Sequence, residues 1–267
     1  MQFSIVIPVY NEAGNVQPLL EEISRAVAGR DVCEIIVVDD GSDDDTPAVL
    51  HRTRAGCALL RVLRHQRCCG QSSALLSGVR AARAPWIVTL DGDGQNDPRD
   101  IPLLLERLED TDQGGRRLML TGNRVQRRDT WLRRWSSRIA NGVRDCLLRD
   151  GTPDTGCGLK LFPRELFLSL PAFDHMHRFL PALMQRHGAR VESVDVRHRP
   201  RRTGHSKYGI RNRPWAGVGA LAGVVGLQAP RLAACATRPG PWSRLADTFG
   251  VYWLQRRPCA AAVEEEY

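Results

Sequence analysis

Apolar positions along the first half of the chain fall into blocks whose period switches between strand and helix. Phe3 to Val9 is a short, mostly apolar run that reads as a buried strand. Asn15 to Val27 carries Val16, Leu19, Leu20, Ile23 and Val27 at helical spacing. Glu34 to Val38 is a second buried strand and runs into an acidic turn. Pro47 then opens a helix behind Asp45 and Thr46, residue types suited to capping. Leu59 to Leu63 reads as a third strand and Gly70 to Ala82 as a helix of small residues. Trp86 to Leu90 is a fourth strand ending in the acidic loop Asp91 to Asp97, after which Pro98 starts another helix.

Strands alternating with helices imply right-handed crossovers and an α/β fold with a mainly parallel sheet flanked by helices. Ligands of such sheets sit outside the carboxyl ends of the strands. Three polar signatures, Pro8–Glu12, Asp39–Ser42 and Asp91–Gln95, follow predicted strands and are therefore expected to converge on one crevice.

The second half is less regular. Thr130 to Leu148 reads as a long basic amphipathic helix, Gly158 to Phe162 and Arg190 to His198 as strands, and Phe179 to His187 as a helix. Arg199 to Asn212 is a basic loop containing glycine. Ala216 to Leu227 is apolar but too short to span a bilayer, and Ala229 to Pro241 is a Pro/Ala/Gly-rich connection. The pattern predicts one domain over 1–212, with halves near 1–125 and 126–212, and a short amphipathic extension over 213–267.

Composition changes this picture modestly. A chain of 267 residues with 42% hydrophobic content is long enough for one sizeable core and is not disordered. The start, MQFSIVIPVYNE, has no basic stretch before an apolar core, so no secretory leader is expected. Cys33, Cys57, Cys68, Cys69, Cys146, Cys157, Cys235 and Cys259 are scattered without C-x-x-C pairs. They fit neither a zinc site nor a disulfide framework, and a cytoplasmic setting is expected. The formal net charge is +8, almost all of it arginine, with lysine kept only at Lys160 and Lys207. The basic balance suits a nucleotide diphosphate, an anionic membrane surface or nucleic acid. No aromatic-basic recognition motif accompanies it, so nucleic acid is not expected.

Asp91-Gly92-Asp93-Gly94-Gln95 places two carboxylates and an amide oxygen on one tight loop, an oxygen set suited to Mg²⁺ or Mn²⁺ with phosphates completing the shell. A calcium loop fits worse: Asn96 stands where the turn needs glycine, and Pro102 where a bidentate glutamate belongs. Asp39-Asp40-Gly41-Ser42 offers carboxylates for a base N–H and ribose hydroxyls, or an acidic turn capping the next helix. GVGALA at Gly217–Ala222 has no preceding strand and is discarded as a dinucleotide fingerprint.

IPVYNE at Ile7–Glu12, VVDDGSDDDT at Val37–Thr46 and DGDGQNDP at Asp91–Pro98 together resemble the family-2 glycosyltransferases. Within that family the chain is similar to the polyprenyl-phosphate group typified by dolichyl-phosphate mannose synthase. TGNR at Thr121–Arg124, DTGCGLK at Asp154–Lys160, HRFLPAL at His177–Leu183 and RPRRTGHSKYG at Arg199–Gly209 agree with it. The resemblance covers residues 3 to 213 and implies a GT-A, Rossmann-like fold. It implies that Pro8, Tyr10, Glu12, Asp39 and Asp40 hold the nucleoside, with Asp91 and Gly92 also against the donor. It further implies that Asp91, Asp93 and Gln95 bind metal and diphosphate, and that Arg124, Arg201 and Lys207 meet phosphates. Lys160 fits a helix-facing or surface role equally well, and His177 and Arg178 fall on the acceptor side, where capping or packing is the alternative for His177.

A hydroxyl acceptor needs a general base, for which Asp154 is the candidate; a polyprenyl phosphate is already an anion and needs positioning instead. The basic stretch Arg197 to Lys207 favours the phosphate. A single displacement would invert the anomeric carbon. The competing expectations are a family-2 transferase acting on a hydroxyl of a polysaccharide or glycolipid, and a non-catalytic basic binding protein on the same scaffold. Towards the C-terminus RPWAGV and LADTFGVYWLQRR look like halves of one family segment separated by unmatched sequence. Trp253, Arg256 and Arg257 there would suit a peripheral contact with the cytoplasmic face of a membrane, or a docking helix.

Overall fold

In the computed structural model, residues 1–111, 117–125, 151–201 and 263–266 are described. Their strands are β1 (Phe3–Val9), β2 (Val32–Asp39), β3 (Leu60–His65), β4 (Trp86–Thr89), β5 (Leu118–Arg124), β6 (Lys160–Pro163), β7 (Arg190–Val196) and β8 (Val263–Glu266). The helices are α1 (Ala13–Ala26), α2 (Thr46–Arg54), α3 (Gln71–Ala81), α4 (Ile101–Thr111), α5 (Arg164–Leu168) and α6 (Leu180–Arg186). Short 3₁₀ turns at Pro98–Asp100 and Met176–Arg178 precede α4 and α6.

All eight strands join one sheet in the order β7-β5-β6-β4-β1-β2-β3-β8. Pairing is parallel for β1 with β2 and β4, β2 with β3, and β5 with β7. It is antiparallel for β6 with both β4 and β5, and for β8 with β3. Alternation along the strands loads both faces. Ile5 and Ile7 of β1, with Ile35 and Val37 of β2, pack under Leu19, Leu20 and Ile23 of α1 and Leu104 and Leu108 of α4. Val6, Ile36 and Val38 face the opposite way, onto Ala74, Leu75 and Val79 of α3 and onto Phe167 and Leu180. Such two-sided burial explains why these strands read as continuous apolar runs rather than as alternating ones.

Helix α3 lies close to the sheet because Gly78 has no side chain: a Cβ there would stand 2.4 Å from Val6 Cγ1 and 3.0 Å from Val38 Cγ2. At the amino ends of the strands, the buried carboxylate of Glu34 accepts from the Ser4 hydroxyl at 2.8 Å and the Arg83 amide at 2.6 Å, and pairs with Arg61. Burial opposes its charge, but these partners outweigh it and hold Glu34 below its usual pKa.

The structure departs from the sequence pattern in several places. TGNR forms the end of β5, a strand the pattern does not announce, because Gly-Asn-Arg is poor strand sequence. Pairing with β7 along its whole length carries it instead. Asp45 occupies the N-cap position of α2 without a side-chain cap bond; Asp44 accepts the Thr46 amide at 2.9 Å. The strand expected over Arg190–His198 stops at Val196, and His198 forms an isolated bridge with Asn96. Val263–Glu266, within the expected extension, lies beside β3 as a sheet strand. The expected helix at Thr130–Leu148 and the segments Ala216–Leu227 and Ala229–Pro241 lie outside the described residues. Among those described, no helix is long and apolar enough to cross a membrane. The five described cysteines are free thiols.

The α3–sheet contact yields a stability prediction. Gly78→Ala is expected to destabilise the fold by about 1–3 kcal/mol through overpacking against Val6, seen as a lower denaturant midpoint at unchanged slope.

Candidate active site

The turns after β1 and β2 are stitched together by side chains. Asn11 takes a left-handed conformation (φ 53°), which asparagine tolerates. Its amide donates to Ser42 Oγ at 2.9 Å, and its side-chain oxygen accepts the Asp43 amide at 3.0 Å. The Glu12 amide donates to Thr46 Oγ1 at 2.9 Å, and the Asp40 amide to the Val9 carbonyl at 2.9 Å. Asp39 is fully buried and accepts the Ser42 amide at 3.0 Å, while Arg64 Nε faces its second oxygen at 3.5 Å. Burial raises its pKa. Gly41 (φ 71°) is required in this turn, since a Cβ would stand 2.5 Å from the Arg67 backbone.

Asp40 reaches across to the β3–α3 connection. Its oxygens accept the amides of Cys69 at 2.9 Å and Gly70 at 2.7 Å. His65 Nδ1 lies 2.7 Å from the same carboxylate, and His65 Nε2 lies 2.9 Å from Ser77 Oγ. Both acidic residues of the second signature therefore hold loops in this structure. Pro8 is half-buried in β1, and Tyr10 sits beside Asp43, the first cause of its raised pKa.

The third signature closes the crevice. Asp91 follows β4 and accepts from Gln71 Nε2 at 2.8 Å. Gly158 lies flat against it; a Cβ there would stand 2.3 Å from the carboxyl carbon. Gly92 is equally constrained, with a Cβ 2.6 Å from Val9 Cγ1. Asp93 accepts the Gln95 amide at 3.1 Å and Arg201 Nη2 at 2.9 Å. The same guanidinium lies 3.7 Å from Glu12, whose other oxygen accepts from Asn15 at 2.6 Å. Arg201 thus ties the first signature to the third. Burial, and after it the charge of Asp93, push the Asp91 pKa up to about 6, while Lys160 and Arg124 pull it down.

Behind Asp91 lies a second layer. Arg124, at the end of β5, grips Asp154 with two bonds of 2.5 and 2.8 Å. Lys160 is buried in the sheet between Thr89 and Thr121 and donates to the Cys157 carbonyl; burial lowers its pKa. The surface role open to Lys160 from sequence does not hold. His177 Nδ1 lies 2.7 Å from Ser72 Oγ; burial first, then Arg178, holds the imidazole well below its usual pKa, so it is neutral at pH 7. Lys207 lies outside the described residues. His65, Gln71 and Gly158 were not singled out by the sequence pattern. Gln71, directly after the glycine that starts a helix beside a strand end, carried the only local signal.

Asp91 and Asp93 carry oxygen donors of the kind a divalent cation takes, with Gln95 two residues on. Two carboxylates stand close enough for one to raise the other's pKa, and Arg201 already lies on Asp93 where positive charge is wanted.

An α/β sheet with acidic turns at neighbouring strand ends, in this strand order, is a glycosyltransferase fold of the GT-A type. Glucosyl-3-phosphoglycerate synthase from Mycobacterium tuberculosis, solved with UDP, shares it at TM-score 0.62 and 20% identity, over 84% of this chain and 80% of that one. Its complex with Mg²⁺ and UDP matches at TM-score 0.60 and 20% identity, over 90% and 81%. The model of glycosyl transferase family 2 matches residues 4–170, and the chain belongs to that family. A dodecaprenyl-phosphate galacturonate synthase of Rhizobium johnstonii is 37% identical over 216 residues, 79% of this chain and 62% of the relative. An undecaprenyl-phosphate 4-deoxy-4-formamido-L-arabinose transferase of Edwardsiella ictaluri is 34% identical, over 78% and 63%. The chain thus spans about three fifths of the length of the curated relatives it matches.

Asp91 makes stability depend on pH in a defined direction. Its folded pKa is raised, so its stabilising contribution is complete below the ordinary value of 3.8 and is lost as pH rises through about 6. Denaturant midpoints are expected to fall for the wild type relative to Asp91→Asn across that window and to run parallel above it.

Proposed function

We propose that this chain moves a sugar from a nucleotide-diphosphate donor to a polyprenyl phosphate, inverting the anomeric centre. The names of the curated relatives, both polyprenyl-phosphate sugar transferases, support the acceptor class. The observation that carries the choice over a hydroxyl acceptor is the Arg124–Asp154 pair. Asp154, the candidate base, is buried and gripped at both oxygens by a guanidinium, an environment that stabilises the carboxylate and weakens it as a proton acceptor. A phosphate acceptor needs no base, and Arg124 and Arg201 lie where anions would be screened.

In this reading Pro8, Tyr10 and Glu12 line the nucleoside, with Asp39 and Asp40 shaping the loops around it. Asp91, Asp93 and Gln95 would hold Mg²⁺ or Mn²⁺, which would supply Lewis-acid stabilisation of the departing diphosphate. Arg201 leaves Asp93 for a phosphate when donor enters, and Lys207 joins it. An acceptor phosphate oxygen attacks the anomeric carbon, the bond to the nucleotide diphosphate breaks, and no proton moves. Access to a lipid phosphate places the domain peripherally on the cytoplasmic face of a membrane. The donor class is a UDP- or GDP-sugar, with uridine favoured by the UDP complexes of the structural neighbours.

The test is transfer from labelled UDP-glucose, UDP-galacturonate and GDP-mannose to undecaprenyl phosphate with Mn²⁺. An acid-labile lipid product is expected, reduced by about a hundredfold or more in Asp93→Ala. Transfer to a hydroxyl acceptor, giving an acid-stable product, would replace the phosphate reading.

A further inference from the structure

A second cluster of ligating side chains, distinct from the Asp91 loop, gathers the ends of β2 and β3 and the β3–α3 connection. One oxygen of Asp40, one ring nitrogen of His65 and the sulfur of Cys69 all lie within 4.8 Å of one another. The three come from separate places in the chain, which is why the cysteine spacing alone excluded a zinc site. Asp40 and His65 are buried and Cys69 is half-buried. A fourth candidate ligand, a second thiol, is adjacent: Cys68 Sγ is 3.4 Å from Asp40 Oδ2.

We infer that Asp40, His65 and Cys69 form a binding site for a divalent transition metal of the zinc class, with Cys68 within reach of the fourth position. The donor set is the argument for the ion. Thiolate and imidazole select zinc-like ions over Mg²⁺ or Mn²⁺, whereas the Asp91 loop offers oxygen alone. The outer layer is already in place as well. A ligating imidazole is oriented by a partner on its other nitrogen, here Ser77 Oγ at 2.9 Å from His65 Nε2. A ligating carboxylate is held by further donors, here the amides of Cys69 and Gly70.

Bonds of about 2.0–2.3 Å in tetrahedral geometry separate ligand atoms by roughly 3.3–3.8 Å. The sulfur therefore moves inwards by at most about 1 Å, and the Asp40–His65 contact, now 2.7 Å, opens by about 0.6 Å. On binding, the Cys69 thiol releases its proton, and His65 carries its proton on Nε2, donating to Ser77, so that Nδ1 offers its lone pair. The ion would pin the β3–α3 connection to the end of β2. The inference stands independently of the donor and acceptor assigned above.

The experiment uses the full chain, reduced and freed of metal, titrated with Co²⁺ as a coloured stand-in and then with Zn²⁺. One equivalent of Co²⁺ is expected to give a thiolate charge-transfer band that Zn²⁺ abolishes. The band is expected to persist in Asp93→Ala, to weaken or shift in Cys69→Ser and to vanish when Cys68 and Cys69 are both serine, and Zn²⁺ affinity to drop by about ten- to a hundredfold in Ser77→Ala. Absence of the band in the wild type, or an unchanged band in Cys69→Ser, would overturn the site. Cys69→Ser leaves the buried Asp40–His65 pair intact, so it decides the matter even where a His65 variant fails to fold.

Discussion

A carboxylate at the end of a buried strand, with a second carboxylate two residues on, is a costly arrangement, and much of this molecule is organised around tolerating it. Asp91 loses water by burial and feels the charge of Asp93. A buried charge persists only with partners. Gln71 reaches it from the start of α3, Lys160 lies beneath it from β6, and Arg124 adds positive charge from β5. Gly158 brings the turn before β6 into van der Waals contact with its carboxyl. The antiparallel insertion of β6 between β4 and β5 makes these contacts possible, since it returns the chain to the strand that carries Asp91.

The other carboxylates divide into two groups by what they touch. Asp39, Asp40 and Glu34 are buried; Asp39 accepts the Ser42 amide, and Asp40 and Glu34 each accept more than one hydrogen bond, so they set the shapes of turns and of the strands' amino ends. Asp93 and Glu12 share Arg201, a cation supplied from beyond β7. A single guanidinium spanning two strand-end loops makes the crevice one electrostatic unit. It also marks where an incoming anion or cation would change the balance, because displacing Arg201 leaves Asp93 without its charge partner.

The Arg124–Asp154 pair and the neutral His177 belong to the same charged neighbourhood through Lys160. Neither group is arranged as an exposed acid or base: the carboxylate is doubly bonded and the imidazole bonds Ser72. The Asp40–His65–Cys69 cluster lies at the ends of β2 and β3 and has different ligand chemistry from the Asp91 loop. The two clusters differ in donor type: oxygen alone in the loop after β4, and sulfur and nitrogen beside a carboxylate at the ends of β2 and β3.

The first four strands and the helices between them were legible in sequence, because two-sided burial writes long apolar runs and α1 and α4 carry apolar stripes at helical spacing. The convergence of Pro8–Glu12, Asp39–Ser42 and Asp91–Gln95 followed from parallel topology alone, since each signature directly follows its strand. Strand β5 was not legible, because Thr121–Arg124 has weak strand propensity and is held by pairing with β7. Nor was the burial of Lys160, or the engagement of Asp154 by Arg124, or the meeting of Asp40 with His65 and Cys69. Each depends on which distant segments become neighbours. Residue type and local spacing determined the sheet and the acidic turns; only tertiary structure decided which carboxylates face the crevice and which hold its walls, because a side chain's charge partners are set by packing and not by position along the chain.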